Sequence, residues 1–335
     1  TVDHKTGNLS SVFDKSYERE VLSGAGNQLQ AFQDKGQYWD AWNIDPNYAQ
    51  HELPAAELLD IQREDGGLRS QIRVVRKIGQ STFWQDYILE TGSAVLKIKT
   101  TVDWQESHVL VKAAFPLNHE SEYATYEIPC GAIQRPTRPQ TPAQKAKWEV
   151  PALQWADLST DDYGVSLLND CKYGYDTQPN QLRLTLLRSS NWPHPDADRG
   201  LHEFTYALYP HGGNWQAQTI RRGYELNQPL QAILLTNKST HSGQMPAEGS
   251  LLDLSSQNLI LMAFKQSEDD PQQFILRCYE SLGETAELVL QSDLGLSIAQ
   301  SVDLLEFTTT KTPPQQPLNI SPGKIATFKV TKQGS

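Results

Sequence analysis

The chain has 335 residues, long enough to bury a substantial core as one large all-β unit or as two domains. Its 29 basic against 40 acidic residues give a formal charge of -11, which offers no footing for a phosphate backbone, so nucleic acid is not an expected partner. No apolar run approaches the ~20 residues of a membrane-crossing helix and no signal-peptide pattern opens the chain, so it reads as soluble, with no membrane partner.

In chain order, the sequence opens on Thr1 rather than Met, and residues 1–7 read as a strand entering a turn. A natural small protein usually begins with some untied residues, so a truncation is expected. A short helix over 54–61 is weakly signalled. Beyond it, most segments alternate with period two: Ile72 with Val74; Ile98, Thr100, Val102 and Trp104; Val109, Val111 and Ala113; Leu182, Leu184 and Leu186; His202, Phe204, Tyr206 and Leu208. Turn chemistry separates them at Asp65-Gly66-Gly67, Trp192-Pro193-His194-Pro195, Asp198-Arg199-Gly200 and His211-Gly212-Gly213. With 21 Gly and 19 Pro, a many-stranded antiparallel sandwich is the economical expectation. The polar stretch 267–273 suggests a boundary between a domain 1–268 and a small sandwich 269–335. Strands of the latter are expected at 274–278, 287–290, 302–305 and 325–330, with a proline-bearing loop at 312–317. Cys130, Cys171 and Cys278 are widely spaced and read as buried small hydrophobes in a reducing compartment.

Several segments have the composition of a site. Residues 37–45, QYWDAWNID, put Tyr38, Trp39, Asp40 and Trp42 together; aromatic rings stack on the apolar faces of sugars and carboxylates accept from their hydroxyls. By pattern alone the plainer reading is that the tryptophans fill a core while Asp40 caps a turn. Residues 126–137, YEIPCGAIQRPT, place Glu127 and Arg135 around a Pro-Cys-Gly turn, where the arginine fork suits vicinal hydroxyls or, more blandly, an acid that holds a loop. Residues 166–176, SLLNDCKYGYD, read as cleft lining or as a strand ending in an Asx turn. His202 and His211 bracket HEFTYALYPH, but position 206 is Tyr where a helical zinc motif needs a second His, so both read as structural. No GxSxG elbow, phosphate-cradling loop or dinucleotide fingerprint is present.

These segments, with SVFDKSYEREVL at 11–22, LRLTLLRS at 182–189 and DRGLHEFTYALYPH at 198–211, resemble in order the C-terminal region of glycoside hydrolase family 38 α-mannosidases, nearest the cytosolic and vacuolar branch. The resemblance covers residues 11–211 well and continues more loosely beyond Gly223. It implies an all-β fold, a galactose mutarotase-like supersandwich followed by a small C-terminal β-sandwich. It also implies a parent polypeptide that is a retaining exo-α-mannosidase, whose N-terminal catalytic domain holds the nucleophile and a divalent metal, usually zinc. Neither motif is visible here, so no catalytic residue, metal ligand or cofactor is expected in this chain. In that family a tyrosine and an arginine of the β region reach the cleft; Arg135 is the candidate arginine and Tyr38 the candidate tyrosine, with Trp39, Asp40 and Trp42 beside them as substrate contacts.

The leading expectation is therefore a non-catalytic region that completes the substrate cleft for α-mannosides and oligosaccharides, partnered by the N-terminal catalytic domain of the same polypeptide, in the cytoplasm. A free-standing carbohydrate-binding β-sandwich is the alternative. An independent mutarotase-like enzyme would need an acid/base pair, for which only His202 with Glu127 or Asp170 can be nominated.

Overall fold

In a computed structural model, which describes residues 1–36, 39–234, 247–309 and 313–332, the period-two segments are strands. Leu182, Leu184 and Leu186 point from Gln181–Arg188 into the core, and Gln181, Arg183 and Thr185 point away. A bulge between Thr185 and Leu187 lets the consecutive Leu186 and Leu187 both join that core.

The chain divides into two compact units, Thr1–Ile128 with Ile133–Leu230, and Pro129–Ala132 with Gln231–Ser335. The larger unit is built on two antiparallel sheets. The nine-stranded sheet runs in the order Gly131–Pro136, Tyr123–Ile128, Trp155–Ser159, Tyr163–Asn169, Gly200–Gly212, Leu96–Trp104, Ser81–Glu90, Arg69–Ile78, Glu57–Gly66. The five-stranded sheet runs Val150–Pro151, Gly174–Gln178, Gln181–Arg188, Val109–Pro116, Gln28–Gln33. One core joins them face to face: Phe115 meets the edge of Tyr206 with ring centroids 6.4 Å apart, and Tyr126 meets Tyr175 at 6.5 Å. The far face of the nine-stranded sheet carries a helix, Thr219–Asn227, seated on Trp155–Ser159 and Tyr163–Asn169. The far face of the five-stranded sheet is covered by Ile44 and Tyr48 against Phe32 and Leu110.

The second unit is a smaller sandwich. Its four-stranded sheet runs Leu259–Gln266, Gln273–Glu280, Ile325–Lys332, Leu296–Val302, and Ala286–Leu288 pairs with Leu318–Ile320. Leu276, Cys278, Leu288 and Val330 are fully buried in its core. The polar stretch read as a boundary is a hairpin turn inside this sheet: Ser267 N donates to Gln273 O, and Leu259–Gln266 pairs along Gln273–Glu280, so position 268/269 falls within one sheet and the long segment of the unit begins at Gln231.

Three further expectations differ from the structure. Residues 57–61 lie in the strand Glu57–Gly66 rather than in a helix. A register shift between Leu58 and Asp60 turns both Leu58 and Ile61 toward the core, so a three-residue spacing that imitates a helical face comes from a bulge. Residues 302–305 leave the sheet after Val302, because Asp303 accepts from the amides of Leu305 and Phe307, both at 2.9 Å, and closes a turn. Of the cysteines only Cys278 is buried; Cys130 is half-buried and Cys171 exposed.

Candidate functional site

Residues 39–43 stand out from the sandwich on a fastened loop. Asp34 anchors its base, accepting from Asp45 N at 2.9 Å and from Arg188, whose guanidinium also donates to Asn43 O. Asp40 closes the other side: its carboxylate accepts from Asn191 N at 2.7 Å and Trp192 N at 3.1 Å, with His108 Nδ1 3.7 Å away. Both Asp40 oxygens therefore bind backbone, and the residue is only 8% exposed. Asp40 holds the loop, close to the turn-capping alternative of the sequence reading and not to the sugar contact. The tryptophans do the opposite of filling a core: Trp39 and Trp42 are 62% and 64% exposed, and Trp192 is 48% exposed. Their ring centroids lie 4.8 Å (Trp39–Trp192), 5.4 Å (Trp42–Trp192) and 6.4 Å (Trp39–Trp42) apart. With Asn43 they line an open depression of about 450 Å³. Tyr38 lies outside the described residues.

Arg135 occupies the edge strand Gly131–Pro136. Its guanidinium lies over the Tyr126 ring, 4.8 Å from the centroid, and among the described residues it forms no ion pair. Its Nη1 is buried without a hydrogen-bond partner. Tyr126 is itself fixed by Thr177 Oγ1 at 2.8 Å, and burial pushes its hydroxyl up to about 12, so it stays a neutral platform. The acid quoted beside Arg135, Glu127, points to the opposite face of its strand and does not pair with it. Burial pushes the Glu127 carboxyl up to about 7, with Gln154 N donating at 2.6 Å.

The structure does not bring Arg135 and the tryptophans together. Arg135 reaches Thr177 through Tyr126, and Thr177 pairs with Leu182, whereas Arg188 holds the tryptophan loop. Six residues of one strand separate those points, roughly 20 Å at the rise of a β-strand, too far for one sugar ring to touch both. Trp192 is the member that sequence reading missed. It was legible only as part of a Trp-Pro-His-Pro turn, with nothing to say that Asp40 would capture its amide.

Two other clusters invite catalytic readings and fail them on geometry. Glu149 and Asp176 converge on one ammonium, the fully buried Lys112. Burial alone would pull the lysine pKa down; the two carboxylates outweigh it and hold it above the ordinary value. Arg183 donates to Asp176, Tyr48 and Gln30, which leaves this acid pair engaged in structure and not free for glycoside chemistry. Under the helix, Asp157 accepts from Ser166 Oγ at 2.7 Å and His211 Nε2 at 2.8 Å, and that same nitrogen faces Ser166 at 3.1 Å. A nucleophilic triad needs the acid on Nδ1 and the serine on Nε2. Here Nδ1 is buried without a partner and the cluster is closed from above by Thr219. His202 bonds Asp198 O at 2.6 Å. It lies three residues from Thr205, whose amide donates to Asp170 at 2.8 Å, and Glu127, engaged by Gln154 N, stands three strands away in the sheet order, so neither nominated acid meets it. In the 166–176 segment the strand ends at Asn169, whose side chain accepts from Lys172 N at 2.7 Å, the Asx turn of the plainer reading. Among the described residues no three His, Cys, Asp or Glu side chains are placed to hold a metal, so the donor set does not fit the divalent ion implied for the family.

Comparison with known families identifies the class of protein to which these two β units belong. The model for the glycosyl hydrolases family 38 C-terminal domain matches residues 1–196, and that for the family 38 C-terminal beta sandwich domain matches residues 258–328; the chain belongs to this family. Alpha-mannosidase 2C1 of Homo sapiens is 38% identical over 311 residues, covering 90% of this chain and 29% of its own length. Alpha-mannosidase G of Dictyostelium discoideum is 35% identical, covering 96% and 31%. A solved alpha-mannosidase from Enterococcus faecalis V583 superposes with a TM-score of 0.80 over 97% of this chain and 40% of its own, at 13% identity, a likeness of fold. The chain thus spans about a third of the length of the curated relatives it matches.

Proposed function

We propose that this chain is the non-catalytic C-terminal region of a retaining exo-α-mannosidase. In this reading the larger sandwich is the mutarotase-like supersandwich of the family, and it completes a substrate cleft whose nucleophile and zinc reside in an N-terminal catalytic domain of the same polypeptide. Its substrates are α-mannosides in oligosaccharide breakdown, and three widely spaced cysteines with no CxxC pair suit a reducing, cytoplasmic setting. The observation that carries the reading is Arg135. A guanidinium held 4.8 Å from the centroid of an aromatic ring, with a buried Nη1 that meets no partner among the described residues, is a prepared donor for an acceptor supplied from outside them.

One paired experiment tests it. The purified chain, zinc added, turns over no aryl α-mannoside, and Arg135→Ala in the full-length enzyme lowers kcat/KM while the melting temperature of the fragment barely moves. Loss of one charge-assisted hydrogen bond is worth about 1.5–3 kcal/mol, or roughly ten- to a hundredfold in rate. Turnover by the chain alone, or a large fall in melting temperature with kinetics intact in the folded fraction, would show that the assignment is wrong.

A further inference from the structure

We infer that Trp39, Trp42 and Trp192 form a second glycan-binding surface, separate from the position of Arg135, that takes the apolar faces of hexopyranose units in an oligosaccharide. The inference rests on the glycosidase family established above and not on the role of Arg135.

Three observations support it. Every apolar group lining the depression is an indole, and the polar side chain beside them is Asn43, exposed and able to donate and accept at a ring hydroxyl. A face built to seat a protein partner is ordinarily enriched in Met and Arg beside its aromatics, and among the described residues neither lines this depression. The CH-rich face of a pyranose needs flat aromatic area with a few polar contacts at the rim. The surface is also pre-organised from two distant segments. Asp40 fixes the amides of Asn191 and Trp192, Arg188 fixes Asn43 O, and Trp39 is held at a φ of 55, a left-handed backbone that a side chain of its size rarely adopts. Interplanar angles of 89°, 56° and 48° tilt the rings against one another and make a cradle instead of one flat wall. Finally, about 450 Å³ of open space falls in the range of small-ligand sites and suits a disaccharide segment of a longer chain.

A surface of this kind, held at the Arg188 end of Gln181–Arg188 and roughly 20 Å along that strand from the Leu182 end that Arg135 reaches through Tyr126 and Thr177, would hold a non-reacting part of a branched oligosaccharide or retain the enzyme on glycan-bearing material. Rigid stacking without a deep pocket predicts weak, millimolar affinity per site with a preference for longer chains.

The test uses this chain, with α-mannobiose and α-mannotriose as probes, and reads tryptophan fluorescence together with the indole NH resonances by NMR. The expected result is saturable binding that perturbs three indoles and is weakened at least tenfold by Trp42→Ala and by Trp192→Ala. Trp84→Ala, on an exposed position of Ser81–Glu90, should leave it unchanged. Trp42 is largely exposed, so its removal should not impair folding, and Trp42→Phe should restore part of the binding. No saturation with either sugar overturns the inference. So does binding that survives both alanine variants, or indole shifts that follow protein concentration instead of sugar, which would make the surface a contact between copies. Kinetics of Arg135→Ala in the full-length enzyme report on the cleft alone, so the two readings fail separately.

Discussion

Tyr126 and Glu127 are neighbours in sequence and opposites in setting, since one faces the core between the sheets and the other the far side of the same strand. Glu127 is 5% exposed, and its carboxyl, raised by burial to about 7 from an ordinary 4.5, binds a proton more tightly in the folded chain than in the unfolded one. Stability linked to this group is therefore fully present below about pH 4.5 and is lost as pH rises toward 7. A shift of this size corresponds to about 3 kcal/mol at most. Glu127→Gln keeps an acceptor for Gln154 N and cannot ionise. Its melting temperature should exceed that of the wild type at pH 8 and converge with it near pH 4.5. Parallel melting curves across that range would mean that Glu127 is solvated in the folded state.

At the scale of elements, Glu280 shows how one side chain gathers several segments. Its carboxylate accepts from Asn258 Nδ2 at 3.0 Å, Leu282 N at 2.8 Å, Gly283 N at 3.0 Å and Gly323 N at 2.8 Å. Burial would raise its pKa; the amides of Gly323 and Leu282 outweigh burial and lower it. Its contribution is thus present above about pH 4.5 and fades as pH falls through the lowered folded value. Glu280→Gln, with a single acceptor oxygen, should cost about 1–3 kcal/mol at pH 7 and progressively less in acid, read from denaturant midpoints. None of this was legible in the sequence, where Glu280 is one acid among many before a Ser-Leu-Gly turn. Strands were legible where one face alternates into a core, as at Leu182, Leu184 and Leu186. Reading failed where a bulge changed the period, as at Leu58, and where a helix was too short and too polar to announce itself. Thr219–Asn227 carries Gly223 at its centre because a Cβ there would come within 3.1 Å of Trp155 Cδ1, a packing reason that no propensity records. The site divides in the same way. The exposed tryptophans belong to a motif visible in the chain, whereas Asp40 as their clamp and Trp192 as their third member follow from contacts made across 150 residues of sequence.

For the whole molecule, two cores that share no residues predict two unfolding events. The larger is built from residues such as Leu184, Val165 and Phe115, and the smaller from Leu276, Cys278 and Val330, all of them fully buried. Multi-domain chains commonly depart from a single two-state transition, and the departure shows as a calorimetric enthalpy larger than the van't Hoff value. Leu184→Ala and Leu276→Ala each remove a buried leucine side chain, at a cost of about 2–5 kcal/mol. If the units unfold separately, each variant should lower one transition and leave the other in place. The shift should be about 2–4 °C per kcal/mol in the larger unit and about 4–8 °C per kcal/mol in the smaller, because a smaller unit has less unfolding entropy. Differential scanning calorimetry of the chain and both variants measures this directly. A single transition that moves as one with either substitution would mean that the two cores melt cooperatively, and residue changes in the small sandwich would then reach Arg135 and the tryptophan surface through global stability alone.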